Sequence, residues 1–278
     1  MAAAGDGGRS NGSHARSLLL TVLGEYVAPV EAQTWTGTLV EALGALGVRE
    51  KAARQALLRS AGDGWLVGER HGRRVRFSLS PEIHQLLATG ARRIYSFGAG
   101  RVDWDGQWLV VVASVPEEQR HLRHQLRTGL AWAGFGPLGQ GVWVCPDAGR
   151  EEEARRVVES LGPAVQATSF IGRHAQVGDE SALVARAWNL PDLERRYNHF
   201  VSEFREARPV DHEDVFRAQT RLVHEWRRFP FVDPGLPDSL LPATWPGRRA
   251  RELFLRRHDE WALGARSWFE ATDAGSTA

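Results

Sequence analysis

Gly47-Val48-Arg49-Glu50-Lys51-Ala52-Ala53-Arg54-Gln55-Ala56-Leu57-Leu58-Arg59-Ser60-Ala61, stopped by Gly62 and Gly64, is the stretch from which the rest of the chain is read. At about 100° per residue, a helix over roughly 49–61 puts Lys51, Arg54, Gln55 and Arg59 on one side. Ala53, Ala56 and Leu57 fall on the other. A helix divided in this way packs by its small apolar face and offers cations and an amide outward. Leu58 sits on the polar side and breaks the pattern; packing under a following hairpin is the alternative for it.

Working outward, Leu18, Leu19, Val22, Leu23 and Tyr26 recur at helical spacing before Pro29, which closes that helix. A second helix is expected over roughly Trp35 to Leu46, with Thr34 or Thr36 as N-cap and Gly47 just past its end. Downstream, Trp65-Leu66-Val67 and the alternating Val75-Arg76-Phe77-Ser78-Leu79 flank a charged turn, Glu69 to Arg74, that contains Gly72. The order helix, helix, helix, hairpin is that of a winged helix-turn-helix, expected over 15–80.

Charge supports the same reading. Residues 49–76 hold Arg49, Lys51, Arg54, Arg59, Arg70, Arg73, Arg74 and Arg76 against Glu50, Asp63 and Glu69, a local +5 in a chain whose total is +1. Arg and Gln on an exposed helix face can read base edges in a major groove, and hairpin cations can sit beside phosphates or in a minor groove. The candidate DNA-binding residues are therefore Arg49, Lys51, Arg54, Gln55 and Arg59 on the helix, with His71, Arg73 and Arg74 at the hairpin tip. A solvated basic face is the plainer explanation of any charge run. Here helical order, hairpin and local excess agree, and they favour double-stranded DNA.

The 278 residues are 42% apolar and 25% charged, which points to two or three globular domains. The single cysteine, Cys145, excludes an internal disulfide framework and multi-cysteine zinc modules. Lys51 is the only lysine beside abundant Arg, Ala and Gly, a bias of GC-rich genomes, so a bacterial cytoplasmic protein is expected. The longest plain apolar run, Trp108 to Ala113, is far below the ~20 residues of a membrane span. Residues 1–14 read as a disordered tail and 271–278 as a frayed one. A linker is expected over 81–100.

From 101 to 174 the strand Trp108–Ala113, a helix with Leu122, Leu126 and Leu130, the strand Val142–Val144, a helix with Ala154, Val157, Val158 and Leu161, and the strand Val165–Ile171 follow one another. This alternation predicts a small α/β sandwich of ferredoxin-like type. A junction at 174–187 leads to a helical C-terminal domain over 187–270. There Leu190, Leu193, Tyr197 and Phe200 form one stripe, Val215, Leu222, Val223 and Trp226 mark a second helix, and Leu253, Leu255, Trp261, Leu263, Trp268 and Phe269 a last one. The class is thus α+β multidomain.

Three strings carry a family resemblance. Gly47 to Leu57 with Gly64-Trp65-Leu66 and Gly72-Arg73-Arg74 is the first, and Gly139-Gln140-Gly141-Val142-Trp143-Val144 the second. The third and most specific is Trp226-Arg227-Arg228-Phe229-Pro230-Phe231-Val232-Asp233-Pro234-Gly235-Leu236-Pro237, with Leu240-Leu241-Pro242 and Trp245-Pro246-Gly247. Together they resemble the PaaX family of bacterial transcriptional repressors over roughly 15–270. The resemblance implies a GntR-like winged helix, a central ferredoxin-like domain, a helical C-terminal domain, and a homodimeric repressor of aromatic-acid catabolism released by phenylacetyl-CoA. The family's central domain is similar in fold to small CRISPR-associated nucleases, which bind a metal through an aspartate ending the first strand. Here that strand ends Val112-Ala113-Ser114-Val115, without a carboxylate, so a scaffold or dimer module is expected.

Other chemistry is weakly signalled. His121 and His124 lie three apart on a helix but lack a visible third ligand, and His224 with Glu225 and Arg227 lacks a nucleophile elbow. Gly98-Ala99-Gly100 and Gly134-Phe135-Gly136 lack the context of a dinucleotide site, and Cys145 reads as inert. No cofactor, metal or catalytic residue is expected. The competing class is a hydrolase or nuclease on the central domain. For an effector, an aryl-CoA ester by resemblance, the junction residues Trp132, Trp143, Trp188 and Tyr197 could supply apolar surface. Arg173, Arg195 and Arg196 could meet carboxylate or phosphate oxygens.

Overall fold

Helix breakers and caps set most element boundaries in the computed structural model, which describes residues 7–99 and 104–276. The α-helices are α1 (Gly7–Val22), α2 (Thr36–Ala45), α3 (Glu50–Gly62), α4 (Pro81–Ser96), α5 (Arg120–Trp132), α6 (Glu151–Ser160), α7 (Glu180–Ala187), α8 (Leu190–Arg205), α9 (His212–Trp226), the short α10 (Phe229–Val232) and α11 (Gly247–Gly275). The strands are β1 (Thr34–Trp35), β2 (Leu66–His71), β3 (Arg74–Leu79), β4 (Gln107–Ser114), β5 (Gly136–Gly139), β6 (Val142–Cys145) and β7 (Gln166–Arg173). The fold is α+β with two small antiparallel sheets, ordered β1-β3-β2 and β5-β6-β4-β7. Among the described residues no helix is long and apolar enough to cross a membrane.

The described residues form two compact units. One joins those through Phe97 to Phe200–Arg227 and to those from Arg251 onward; the other joins Gly98–His199 to Arg228–Ala250. Parts of the helical C-terminal segment fall in each unit, and its stripes on α9 and α11 pack into the first. In the first unit Leu18, Leu19, Val22 and Leu23 pack with Leu39, Ala42 and Leu43 of α2, with Ala53, Ala56 and Leu57 of α3, and with Phe216, Ala265 and Phe269 of α9 and α11. Each such Leu or Phe, fully buried, contributes about 1.5–3 kcal/mol, so α9 and α11 are part of the platform that holds α3.

Several helices run across the expected boundaries. The expected linker over 81–100 is largely α4, because Ser80 caps it, its hydroxyl accepting from the Ile83 amide at 3.4 Å, and Pro81 occupies the first turn. Residues 100–103 lie outside those described. The first helix begins at Gly7 within the expected 1–14 tail, although Gly7, Gly8, Asn11 and Gly12 are poor helix formers; residues 1–6 are outside. It also continues beyond Val22 as a π-helical turn, Leu23–Val27, and a 3-10 turn, Ala28–Val30, so Pro29 lies in the helical run's last turn. The expected frayed tail from 271 remains helical through Gly275, with 277–278 outside. The junction at 174–187 contains α7, started by Asp179, which accepts from the Ser181 amide at 2.9 Å.

In the second unit β4, α5, β5, β6, α6 and β7 follow in that order. All eight residues of β4 pair with β7, from Gln107↔Arg173 to Ser114↔Gln166. Alternation then splits β4: Leu109, Val111 and Ala113 meet Leu126, Leu130 and Ala154 from the helices, while Trp108 packs with Val144, Val184, Ala187 and Leu236. The short β5, hidden from sequence by its Gly-Pro composition, completes the sheet. Its link to β6 passes through Gly141 at φ +77°, where a β-carbon would press into the Ala113 carbonyl oxygen, and the Gly141 carbonyl accepts from the Ala113 amide at 2.8 Å. Gly141→Ala is expected to cost more than the roughly 1–3 kcal/mol of a strained backbone conformation alone, since the Ala113 carbonyl must also give way, read as a lower Tm in calorimetry.

Candidate nucleic-acid interface

Helix α3 follows Arg49, whose φ −63° and ψ 141° make it the extended residue before the first turn; Glu50 in that turn and Arg59 in the last complement the helix dipole. Ala53, Ala56, Leu57 and Ser60 are buried at spacings of three and four. The opposite face, Lys51, Arg54, Gln55, Leu58 and Arg59, is exposed. Leu58 does not pack under the hairpin: it is 70% exposed, on the same outward face as the cations. Arg54 holds Glu50, with Nε and Nη2 each 2.8 Å from Oε1. The side chains of Arg49, Lys51, Gln55 and Arg59 have no such partner among the described residues. One cation is thus parked on an exchangeable surface pair worth little in water, and three are open.

The hairpin is tighter than expected. Pairing runs from Leu66↔Leu79 to His71↔Arg74, so Glu69 to His71 and Arg74 belong to strands and only Gly72 and Arg73 make the turn, with Gly72 at φ +63°. Arg73 is exposed and has no partner among the described residues. His71 lies 3.4 Å from Glu69 and sets its ring edge-on to Trp35 at 5.6 Å. Arg74 donates through Nη1 to the Ser276 carbonyl at 2.8 Å. Arg76 lies over the Trp35 ring at 4.8 Å and 3.6 Å from Asp273. Sequence reasoning missed Asp273 and Ser276, since residues some two hundred positions away leave no local signal.

The effector candidates do not gather at one place. Trp143 is 7% exposed in the core under the sheet. Tyr197 is 1% exposed, stacks on Phe229 at 4.1 Å, and donates its hydroxyl proton to Asp233 at 2.5 Å. Both are committed to cores. Trp132, 62% exposed, leans on Phe231 at 5.7 Å, and Arg173 is exposed at the end of β7. Trp188 and Arg196 are brought together, with Asp192, Val232 and Pro234, around a cavity of about 130 Å³. That is below the ~300–1,000 Å³ of a drug-sized site. Arg195 and Arg196 both bind Asp192, at 2.9 and 2.8 Å, and the hydrogen bond from Arg196 holds that carboxyl below the usual range.

His121 and His124 are exposed on α5, and no group of three or more metal-ligating side chains occurs among the described residues. His224 is 3% exposed, its Nδ1 2.9 Å from the Thr21 hydroxyl, a structural placement. Burial pushes the Cys145 thiol up to about 11, away from reactivity.

The exposed face of α3 and the hairpin turn both carry cations, and both belong to the first unit. Comparison with known proteins adds the lineage. Three family models match in order: PaaX-like protein at residues 14–83, PaaX protein central Cas2-like domain at 101–184, and PaaX-like protein C-terminal domain at 188–271. The chain belongs to the PaaX-like family. It is 29% identical over 260 residues to the Transcriptional repressor PaaX of Escherichia coli (strain K12), covering 90% of this chain and 81% of that protein. In fold it is similar to the Uncharacterized protein Rv0674 from Mycobacterium tuberculosis, at TM-score 0.60 and 24% identity, over 90% of this chain and 96% of that one.

Proposed function

We propose that this protein is a DNA-binding transcriptional repressor of a phenylacetate-type catabolic operon, not an enzyme. The observation that carries the reading is the outward face of α3 with the open Arg73 at the hairpin turn, in a chain that aligns over 90% of its length with a named repressor. A winged helix-turn-helix is supported by the order α1, α2, α3, β2, β3 and by the pairing of β1 with β3. In this reading α3 enters the major groove, Arg54, Gln55 and Lys51 meet base edges, Leu58 faces thymine methyl groups, and Arg73 approaches the backbone. A ferredoxin-like central domain is supported by the β-α-β-β-α-β order and the sheet order β5-β6-β4-β7.

A single short helix contacts few bases, so the reading includes a homodimer acting in the cytoplasm on paired half-sites. An aryl-CoA ester is the proposed effector. To release the operator usefully it must cost ~1–3 kcal/mol of DNA affinity, by binding the two conformations unequally. Band-shift titration against the gene's own upstream region is expected to give a salt-sensitive specific complex. Phenylacetyl-CoA should release it, whereas phenylacetate and CoA should not. Absence of any shift at low salt overturns the DNA reading; release by the free acid or by CoA alone overturns the effector.

A further inference from the structure

One carboxylate in the last turns of α11 gathers the parts of the proposed interface. Asp273 Oδ1 accepts from the Thr34 hydroxyl at 2.7 Å, from the Trp35 amide at 3.0 Å and from the Thr38 hydroxyl at 2.8 Å. Its Oδ2 lies 3.6 Å from Arg76. One turn on, the Ser276 carbonyl accepts from Arg74 at 2.8 Å, and its hydroxyl lies 3.2 Å from that of Thr38. Thr34 and Thr38 are 2% and 0% exposed, and the Asp273 side chain is 20% exposed, so these bonds are largely shielded from water.

The local need for this contact is visible in α2. Its N-cap, Trp35, supplies no side-chain cap. In the usual arrangement a residue within the first turn reaches back to the N-cap amide, and an acid there also answers the positive end of the helix dipole. Here an acid 238 residues away does both. The same carboxylate, through Arg76, also touches β3, the strand that carries the hairpin. Helix α2 packs on α3 through the common core. The helix that faces the groove and the hairpin that flanks it are thus referred to one fixed point.

We infer that Asp273 is a positioning residue for DNA binding. With Ser276 it sets the pose of the hairpin cations relative to α3, acting through Trp35, Thr38 and Arg76 and not by touching DNA. The inference rests on the DNA-binding reading and deepens it. Asp273 lies beyond residue 271, where the family's C-terminal match ends, so no part of that match assigns it. Arg74 and Arg76 are ligands of this contact and Arg70 donates to the Gly72 carbonyl at 3.2 Å, so among the described hairpin arginines Arg73 is the one without a protein partner.

The test compares wild type, Asp273→Ala and Asp273→Asn by operator titration over a range of salt, at a temperature well below each protein's own melting point. Asp273→Ala is expected to bind about five- to tenfold more weakly, and its affinity to fall less steeply with salt, by about one unit of slope. Asp273→Asn keeps an acceptor but not the charge, and is expected to fall between. The slope separates positioning from mere stability: a protein only less stable, yet folded in the assay, keeps all its phosphate contacts. Weaker binding with an unchanged slope overturns the inference, as does unchanged or tighter binding. Should wild type itself bind no DNA, the repressor reading falls first and this falls with it. Asp273→Asn, of the same size, supplies the comparison if the alanine variant does not fold.

Discussion

Arg54→Ala is expected to weaken operator binding by about 1–3 kcal/mol, roughly 5- to 150-fold, and to relax preference at one base position. The side chain leaves α3 from its exposed face, 56% accessible, and its present partner is Glu50 one turn earlier. That pair is solvent-exposed, so exchanging it for a guanine edge costs little. Glu50→Gln is accordingly expected to leave specificity intact. The informative contrast is Arg73→Ala at the hairpin turn. An arginine that meets only backbone should weaken binding to all sequences alike and reduce the salt slope by about one, without changing which base is preferred. Competition titration with operator variants at two salt concentrations checks both. Equal losses from Arg54→Ala on every operator variant would place that side chain on phosphate and remove it from base reading.

Trp226→Ala is expected to cost about 3–5 kcal/mol of stability, a large share of the 5–15 kcal/mol that holds a typical domain together. The indole is 1% exposed, stacks on Phe254 at 4.7 Å and meets Phe200 and Phe97 at 5.4 and 6.0 Å. Its N–H donates to the Ile94 carbonyl at 3.2 Å, so truncation opens a cavity and also leaves a backbone acceptor without that donor. Trp226→Phe should cost less, since it keeps most of the ring contact. Trp132→Ala, at a position 62% exposed, should cost under about 1 kcal/mol. Urea melts of the three variants give the order. Similar losses for Trp226→Ala and Trp132→Ala would contradict the packing described.

Belonging to the first unit, Trp226 joins α9 to α4 and α11, which is why a residue far from α3 in sequence bears on the proposed interface. Loosening α9 or α11 removes support for Phe216, Ala265 and Phe269 in the core beneath α3. A repressor with Trp226 truncated is therefore expected to lose DNA affinity through stability, with salt slope and base preference retained in the folded fraction.

Local rules, by themselves, determined the elements whose residues answer to neighbours a few positions away. The face of α3 was legible because Ala53, Ala56 and Leu57 recur at helical spacing opposite Lys51, Arg54, Gln55 and Arg59. The strand at 107–114 was legible from its β-branched run, and the family from strings such as Trp226 to Pro237. Only the tertiary structure decided what depends on partners far along the chain. Apolar stripes on α9 and α11 announce that they will be buried but not against what; folding puts Phe216, Ala265 and Phe269 into the core shared with α1, α2 and α3. Arg74 and Arg73 are indistinguishable as letters, yet one donates to Ser276 and the other is open. Trp143 and Tyr197 looked suited to a pocket, and packing spent both on cores. Asp273 lay in a segment read as frayed, and its meaning came from Thr34, Trp35 and Thr38, more than two hundred residues upstream. Periodicity and propensity act over a turn or two of chain, whereas a hydrogen bond or a packed ring depends on distance in space, which folding alone supplies.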